Sequence, residues 1–193
     1  MEMLLAVGIG IGLASVAGVR AFLPLVLVGL FARLGLFALP APFDLLDDWA
    51  VIGALAVLAL LESGLDKVPA LDSVLGYVQT PLRIVAGAVL FAAAFLQEGI
   101  DVGAIPELAA GGVIAGLVSV LKAILRPAAN VASAGVSVPF LSLVEDAVAL
   151  LGAITAVLVP LVPLALVAFL LLFFFRVRRR RGRKYGGLRI LGD

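Results

Sequence analysis

Residues 3–37, MLLAVGIGIGLASVAGVRAFLPLVLVGLFARLGLF, carry Arg20 and Arg33 as their only charges, and their reading decides the class of fold. A hydrocarbon core of about 30 Å is crossed by about 20 helical residues. The stretch is too long for one straight crossing, and Gly18, Arg20 and Pro24 interrupt it. Proline removes a helical N–H donor and glycine weakens a helix interior. A broken or re-entrant helix is therefore expected, a form tolerated in lipid only where the freed backbone groups face protein or water.

Further apolar segments lie near 49–61, 84–97, 108–125 and 147–175. Of the 193 residues, 64% are hydrophobic and 14% charged. Soluble domains sit near 45–50% apolar and about 25% charged, so this is a membrane chain. The fold class expected is all-α, a polytopic transmembrane helix bundle of about six to seven crossings at the usual span length. Segments 49–61 and 84–97 are short for a crossing, which places Glu62 and Arg83 within the membrane thickness. Segment 147–175 is long, and Pro160 and Pro163 divide it into two short crossings or kink one long helix.

Charge is distributed unevenly. From Arg176 onward there are eight basic residues and one Asp, a net of +7, while residues 1–175 hold six basic and twelve acidic residues, a net of −6. The basic run at Arg176, Arg178, Arg179, Arg180 and Arg181 directly follows apolar sequence. It reads as a cytoplasmic membrane anchor to anionic lipid headgroups and not as a nucleic-acid site. Residues 1–175 form the expected transmembrane domain and 176–193 its tail. Loops 38–48 and 98–107 contain acids and no Lys or Arg, so they belong outside, whereas 63–83, with Lys67 and Arg83, belongs inside. Within it, Leu71, Val74, Leu75 and Val78 recur at helical spacing and suggest a separate interfacial amphipathic helix. The expected location is a bacterial inner (plasma) membrane, multi-pass, with the C-terminus cytoplasmic.

Short colinear similarities suggest an internal repeat with halves near 3–97 and 107–175. GLASV at 12–16 resembles GLVSV at 116–120, PF at 42–43 resembles 139–140, Asp47-Asp48 resembles Glu145-Asp146, and GA at 53–54 resembles 152–153. Each half would hold a broken helix, a polar turn with an acid pair, and a short helix. Three crossings per half would make the repeat inverted, the architecture of many alternating-access carriers.

The chain has no His and no Cys, which excludes zinc fingers, thiolate nucleophiles, Ser-His triads, disulfides and iron–sulfur clusters. No metal, cofactor or enzymatic activity is expected. Ionisable residues inside apolar segments are costly and commonly line ion, proton or substrate pathways. Arg20, Glu62, Asp66, Lys67, Arg83, Glu145 and Asp146 form the candidate pathway, with Glu62 as its proton- or cation-responsive group. The bland alternative is that these charges are structural ion pairs. Lys67, Lys122 and Arg126 fit snorkelling near a cytoplasmic boundary. Gly8, Gly10, Gly12, Ala14 and Gly18, with Gly111, Gly112 and Gly116, make small-residue faces for close helix packing. Trp49 and Tyr77 suit interfaces, and Asn130, Ser133 and Ser137 could line a cavity.

The elements GVRAFLP at 18–24, ESGLDKVP at 62–69, RIVAG at 83–87 and EDAVA at 145–149 together resemble a bacterial family of small polytopic integral membrane proteins whose domain is of unknown function. The resemblance covers about residues 5–160 and leaves the basic tail outside. It implies an all-helical inner-membrane protein in which these polar elements recur, and it implies no particular activity. Two functions follow from the residues. One is a small transporter or channel-like protein for an ion, solute or lipid. The other is a non-catalytic scaffold or assembly protein, whose small-residue faces could join subunits of a homo-oligomer.

Overall fold

The computed structural model describes residues 1–66, 69–132 and 137–185. Seven α-helices occupy them: α1 (Glu2–Val19), α2 (Phe22–Arg33), α3 (Trp49–Leu65), α4 (Pro69–Gln97), α5 (Ala104–Ala132), α6 (Ser137–Leu158) and α7 (Leu161–Tyr185). A short 3-10 helix, Phe43–Asp47, precedes α3, and the described residues contain no strand. Four stretches are long and apolar enough to cross a membrane: Glu2–Val19, Val78–Gln97, Ala104–Leu125 and Phe140–Leu158. The protein is an all-helical membrane bundle.

Local chemistry explains the element boundaries. The first apolar stretch breaks at Arg20, whose backbone is extended at φ −137° and ψ 120°. Pro24, Pro106, Pro139 and Pro163 are each the third residue of a helix, where the missing N–H has no intrahelical acceptor to lose. Helix α2 ends in a Schellman turn: Gly35 takes φ +79°, and the Leu36 N–H donates to Phe31 O at 3.0 Å. Asp48 caps α3 by accepting from the Ala50 and Val51 N–H groups at 2.7 and 3.4 Å. The 147–175 run is cut between Leu158 and Leu161, beside Pro160.

Helix α1 is the central element and packs against α2, α4, α5, α6 and α7. Small residues permit this. A Cβ on Gly12 would stand 2.6 Å from the Ala156 Cβ, and one on Gly8 would stand 2.2 Å from the Pro160 carbonyl oxygen. Helices α4 and α5 cross where Gly87 meets Gly111 and Ala115, close enough that a Cβ on either glycine would overlap its neighbour. By contrast Leu60, Leu61, Val113, Leu117, Leu151, Phe169 and Leu172 are exposed, as lipid-facing side chains would be. Pro160 lies against Gly8 and Pro163 against Gly12, so α7 sets out in the same direction as α1.

Two expectations are corrected. Residues 69–83 are not a separate interfacial helix, because α4 runs unbroken from Pro69 to Gln97 through Pro81. Among the described residues its apolar span includes Val78–Gln97 and so takes in Gln79 and Arg83, which lengthens the short segment 84–97. The side chains of 69–77, Tyr77 among them, lie outside the described residues. Glu145 and Asp146 do not sit in a polar turn but inside α6, where basic partners from other helices remove the need to reach water. The proposed repeat pairs them with Asp47-Asp48 at the start of α3, and it pairs broken α1–α2 with continuous α5, so the matched segments fall on unlike elements.

Candidate functional site

The break after α1 creates the first half of the site. A helix start leaves N–H groups without intrahelical partners. Here the Ala21 and Phe22 N–H groups donate to the Glu62 carboxylate, at 3.1 Å to Oε1 and 3.3 Å to Oε2. Glu62 is on the last turn of α3, so this contact ties the end of α3 to the start of α2. The negative charge also suits the positive end of the α2 dipole.

Arg20, exposed by the same break, is a hub. Its NH1 donates to Asp66 Oδ2 at 2.7 Å. Its NH2 donates to Ser142 Oγ at 2.9 Å, lies 2.8 Å from Asp146 Oδ1, and is 3.9 Å from Glu145 Oε2. One guanidinium from the α1–α2 junction therefore joins α3 to α6. Helix α4 adds Arg83, 3.5 Å from Glu62 Oε1 and 4.0 Å from Asp66 Oδ2. Arg83 NH2 also donates to Gln79 Oε1, one turn earlier, and Gln79 Nε2 donates to Asp66 Oδ1 at 2.9 Å.

Helix α5 contributes Lys122. Its Nζ lies 2.9 Å from Glu145 Oε2 and 3.7 Å from Asp66 Oδ2, and it donates to the Val19 carbonyl at 2.9 Å. The last contact satisfies a carbonyl freed by the end of α1. Ser63 Oγ donates to Asp146 Oδ1 at 2.9 Å. Three bases and four carboxylates thus form one network across α1 to α6. Bare charges at membrane depth are expensive, and this degree of mutual pairing is what permits them.

The network has a direction. Arg20 and Asp66 are 1% exposed, Glu145 11% and Asp146 25%, so the cluster opens toward the α6 side. It lies just after Val19 at the end of α1, at Arg83 midway along α4, at Lys122 in the second half of α5, and at Glu145 and Asp146 in the first half of α6. This cluster, enclosed by α1, α3, α4, α5 and α6, is the charged chamber of the bundle.

Of the residues expected to form a pathway, Arg20, Glu62, Asp66, Arg83, Glu145 and Asp146 are brought together. Lys67 lies outside the described residues. Arg176 is exposed on α7, and the side chains of Arg178, Arg179, Arg180 and Arg181 lie outside the described residues, as do those of Arg126, Asn130, Ser133 and Ser137. Lys122 is not a snorkelling side chain but a member of the network. Gln79, Ser63 and Ser142 belong to it as well, and only their polarity within apolar helices marked them in sequence. Trp49 is exposed at the start of α3, with the Arg33 guanidinium 5.6 Å above its ring. Among the described residues no cluster of three or more acidic side chains is arranged to hold a metal ion.

Residues 7–180 match a family described as Domain of unknown function (DUF4126). The match passes residue 160 and takes in Arg176, so the first basic residues of the tail are not outside it. No curated protein and no solved structure matches the chain.

Proposed function

The chain belongs to the DUF4126 family, whose description assigns no activity, and on the geometry of its charged chamber we propose that it is a small transporter or channel-like protein for a charged solute or lipid. The observation that carries this reading is a convergence of charge: three bases and four acids meet at a helix break, with Asp146 partly exposed. Broken helices with ionisable partners recur at substrate sites of secondary carriers. Glu62 would act as the responsive group, since losing its charge releases both the α2 start and Arg83. The role is non-catalytic.

The proposed location is a bacterial inner membrane with the chamber facing the cytoplasm. Glu98 and Asp101 lie between α4 and α5, at the opposite end from the chamber. Helix α7 starts at that opposite end and heads back, which brings Arg176 to the chamber side. The positive-inside bias favours that side as cytoplasmic.

The test is flux through liposomes containing the purified protein, across a panel of ions and metabolites, with Glu62→Gln as the comparison. Flux that the variant abolishes or decouples from pH is the expected result. A folded wild-type protein that passes nothing, or a variant with wild-type flux, overturns the assignment. A scaffold is the second reading, favoured by the pairing of Arg20 with three carboxylates, which suits a lock between helices. It predicts lost stability or assembly in Glu62→Gln with no ligand effect in either protein.

A further inference from the structure

One oxygen stands at the centre of the chamber. Asp66 Oδ2 has Arg20 NH1 at 2.7 Å, Lys122 Nζ at 3.7 Å and Arg83 NH2 at 4.0 Å, contributed by the α1–α2 junction, α5 and α4 respectively. Building on the transport reading, we infer that these three cations form a cradle for an anionic group, a carboxylate or a phosphate, and that Asp66 is the internal anion that occupies it and leaves as it takes up a proton.

Three features support this. Asp66 follows the last turn of α3 as its C-cap residue, at the negative end of the helix dipole, where a carboxylate is disfavoured unless cations hold it. Helix α3 packs chiefly on α2, and a Cβ at Gly64, two residues before Asp66, would meet nothing within 4 Å, so its apolar packing holds this end of α3 less than the polar contacts do. The two guanidiniums of the cradle also have unused donors. The Nε atoms of Arg20 and Arg83 are buried without a hydrogen-bond partner among the described residues. A ligand with two or three anionic oxygens takes up more such donors than one carboxylate oxygen, and guanidinium forks suit both carboxylate and phosphate.

Charge balance supplies the proton. Among the described residues, the groups facing Asp66 include Glu62 on its own helix, Arg20, Gln79 and Arg83 of α4, Lys122 of α5, and Glu145 and Asp146 of α6 beyond Arg20. Exchanging an ionised Asp66 for a neutral one plus a monoanion leaves their total charge unchanged. Asp66 is the acid whose oxygen stands among all three cations, and Gln79 Nε2 can still donate to it once it is neutral. Anion and proton therefore enter together.

The experiment uses the full chain in detergent, with inorganic phosphate, acetate and short-chain phosphatidylglycerol as probes and phosphatidylcholine as the neutral control. Binding is followed by calorimetry in two buffers of different ionisation enthalpy and by thermal stability between pH 6 and 8. Uptake of one proton per anion is expected, with affinity rising about tenfold per pH unit lowered where Asp66 is ionised. Asp66→Asn retains the oxygen that accepts from Gln79; it should bind the same anion at pH 8 at least about tenfold more tightly, without pH dependence. Phosphate or acetate binding identifies a soluble anion, and phosphatidylglycerol binding alone identifies a lipid headgroup. Phosphate titrates in this pH range, so the proton count is read with acetate or phosphatidylglycerol, whose charge is fixed there; no binding by any probe, or binding of these without proton uptake, overturns the inference. Flux of a cation without anion binding would remove the cradle and leave transport standing. Anion binding without any flux would do the reverse.

Discussion

Replacing Arg20 with Met keeps most of the side-chain length and removes the hub charge. The Asp66 partner is 1% exposed and its contact is 2.7 Å, so this is a buried pair losing one member, which costs about 3–5 kcal/mol. Asp146, at 25% exposure and with Ser63 as a second donor, adds little beyond the range of about 0.2–1 kcal/mol for solvent-exposed pairs. Asp66 keeps Lys122 at 3.7 Å and Arg83 at 4.0 Å, which holds the total near about 4 kcal/mol. For a chain of this length that is a fall in Tm of roughly 8–16 °C. The assay is unfolding of the detergent-purified protein by heat and by dodecyl sulfate, followed by helical circular dichroism. In a double-mutant cycle with Asp66→Asn, the two losses should fall short of additivity by at least about 1 kcal/mol, since the second change removes the stranded carboxylate. A loss below about 1 kcal/mol, or strict additivity, would refute the claim that Arg20 and Asp66 are a desolvated, coupled pair.

Further outcomes follow from the packing and the topology. Gly87→Ala places a Cβ 2.3 Å from that of Ala115 and should cost about 1–3 kcal/mol by overpacking, measured by the same unfolding assay. Gly53→Ala, with nothing within 4 Å, should be neutral or gain up to about 1 kcal/mol of helix propensity. Asp48→Ala removes the α3 cap and should cost about 0.5–2 kcal/mol, visible as a lower Tm with unchanged helicity in the cold. The chain has no cysteine, so single cysteines can be labelled cleanly. In intact cells an impermeant maleimide should reach Asp101→Cys and should reach Arg176→Cys only after permeabilisation; labelling of both from one side would overturn the proposed orientation of α7.

Much of the helical framework can be read along the chain. Apolar length marked the membrane segments, and Gly18, Arg20 and Pro24 marked the first break, which the structure places at Arg20. Pro160 marked the boundary between α6 and α7. Reading failed where a polar residue was assumed to seek water. The polar stretch before Arg83 suggested a separate helix on the membrane surface, yet α4 runs on through Gln79 and Arg83, which meet Asp66 and Glu62 inside. Lys122 suggested snorkelling, yet its amine lies against Glu145 and the Val19 carbonyl.

The amino-acid sequence by itself determined that this is a helical membrane protein, where its first helix breaks, and which charges are anomalous. Those properties are sums over neighbouring residues, as hydropathy and backbone donors are counted locally. Only the tertiary structure decided how far α4, α5 and α6 extend, which charges meet, and that Asp66 stands among three cations. Arg20 is 46 positions from Asp66 and 122 from Ser142. The energy of a buried charge depends on what surrounds it in space, and no sum along the chain contains that.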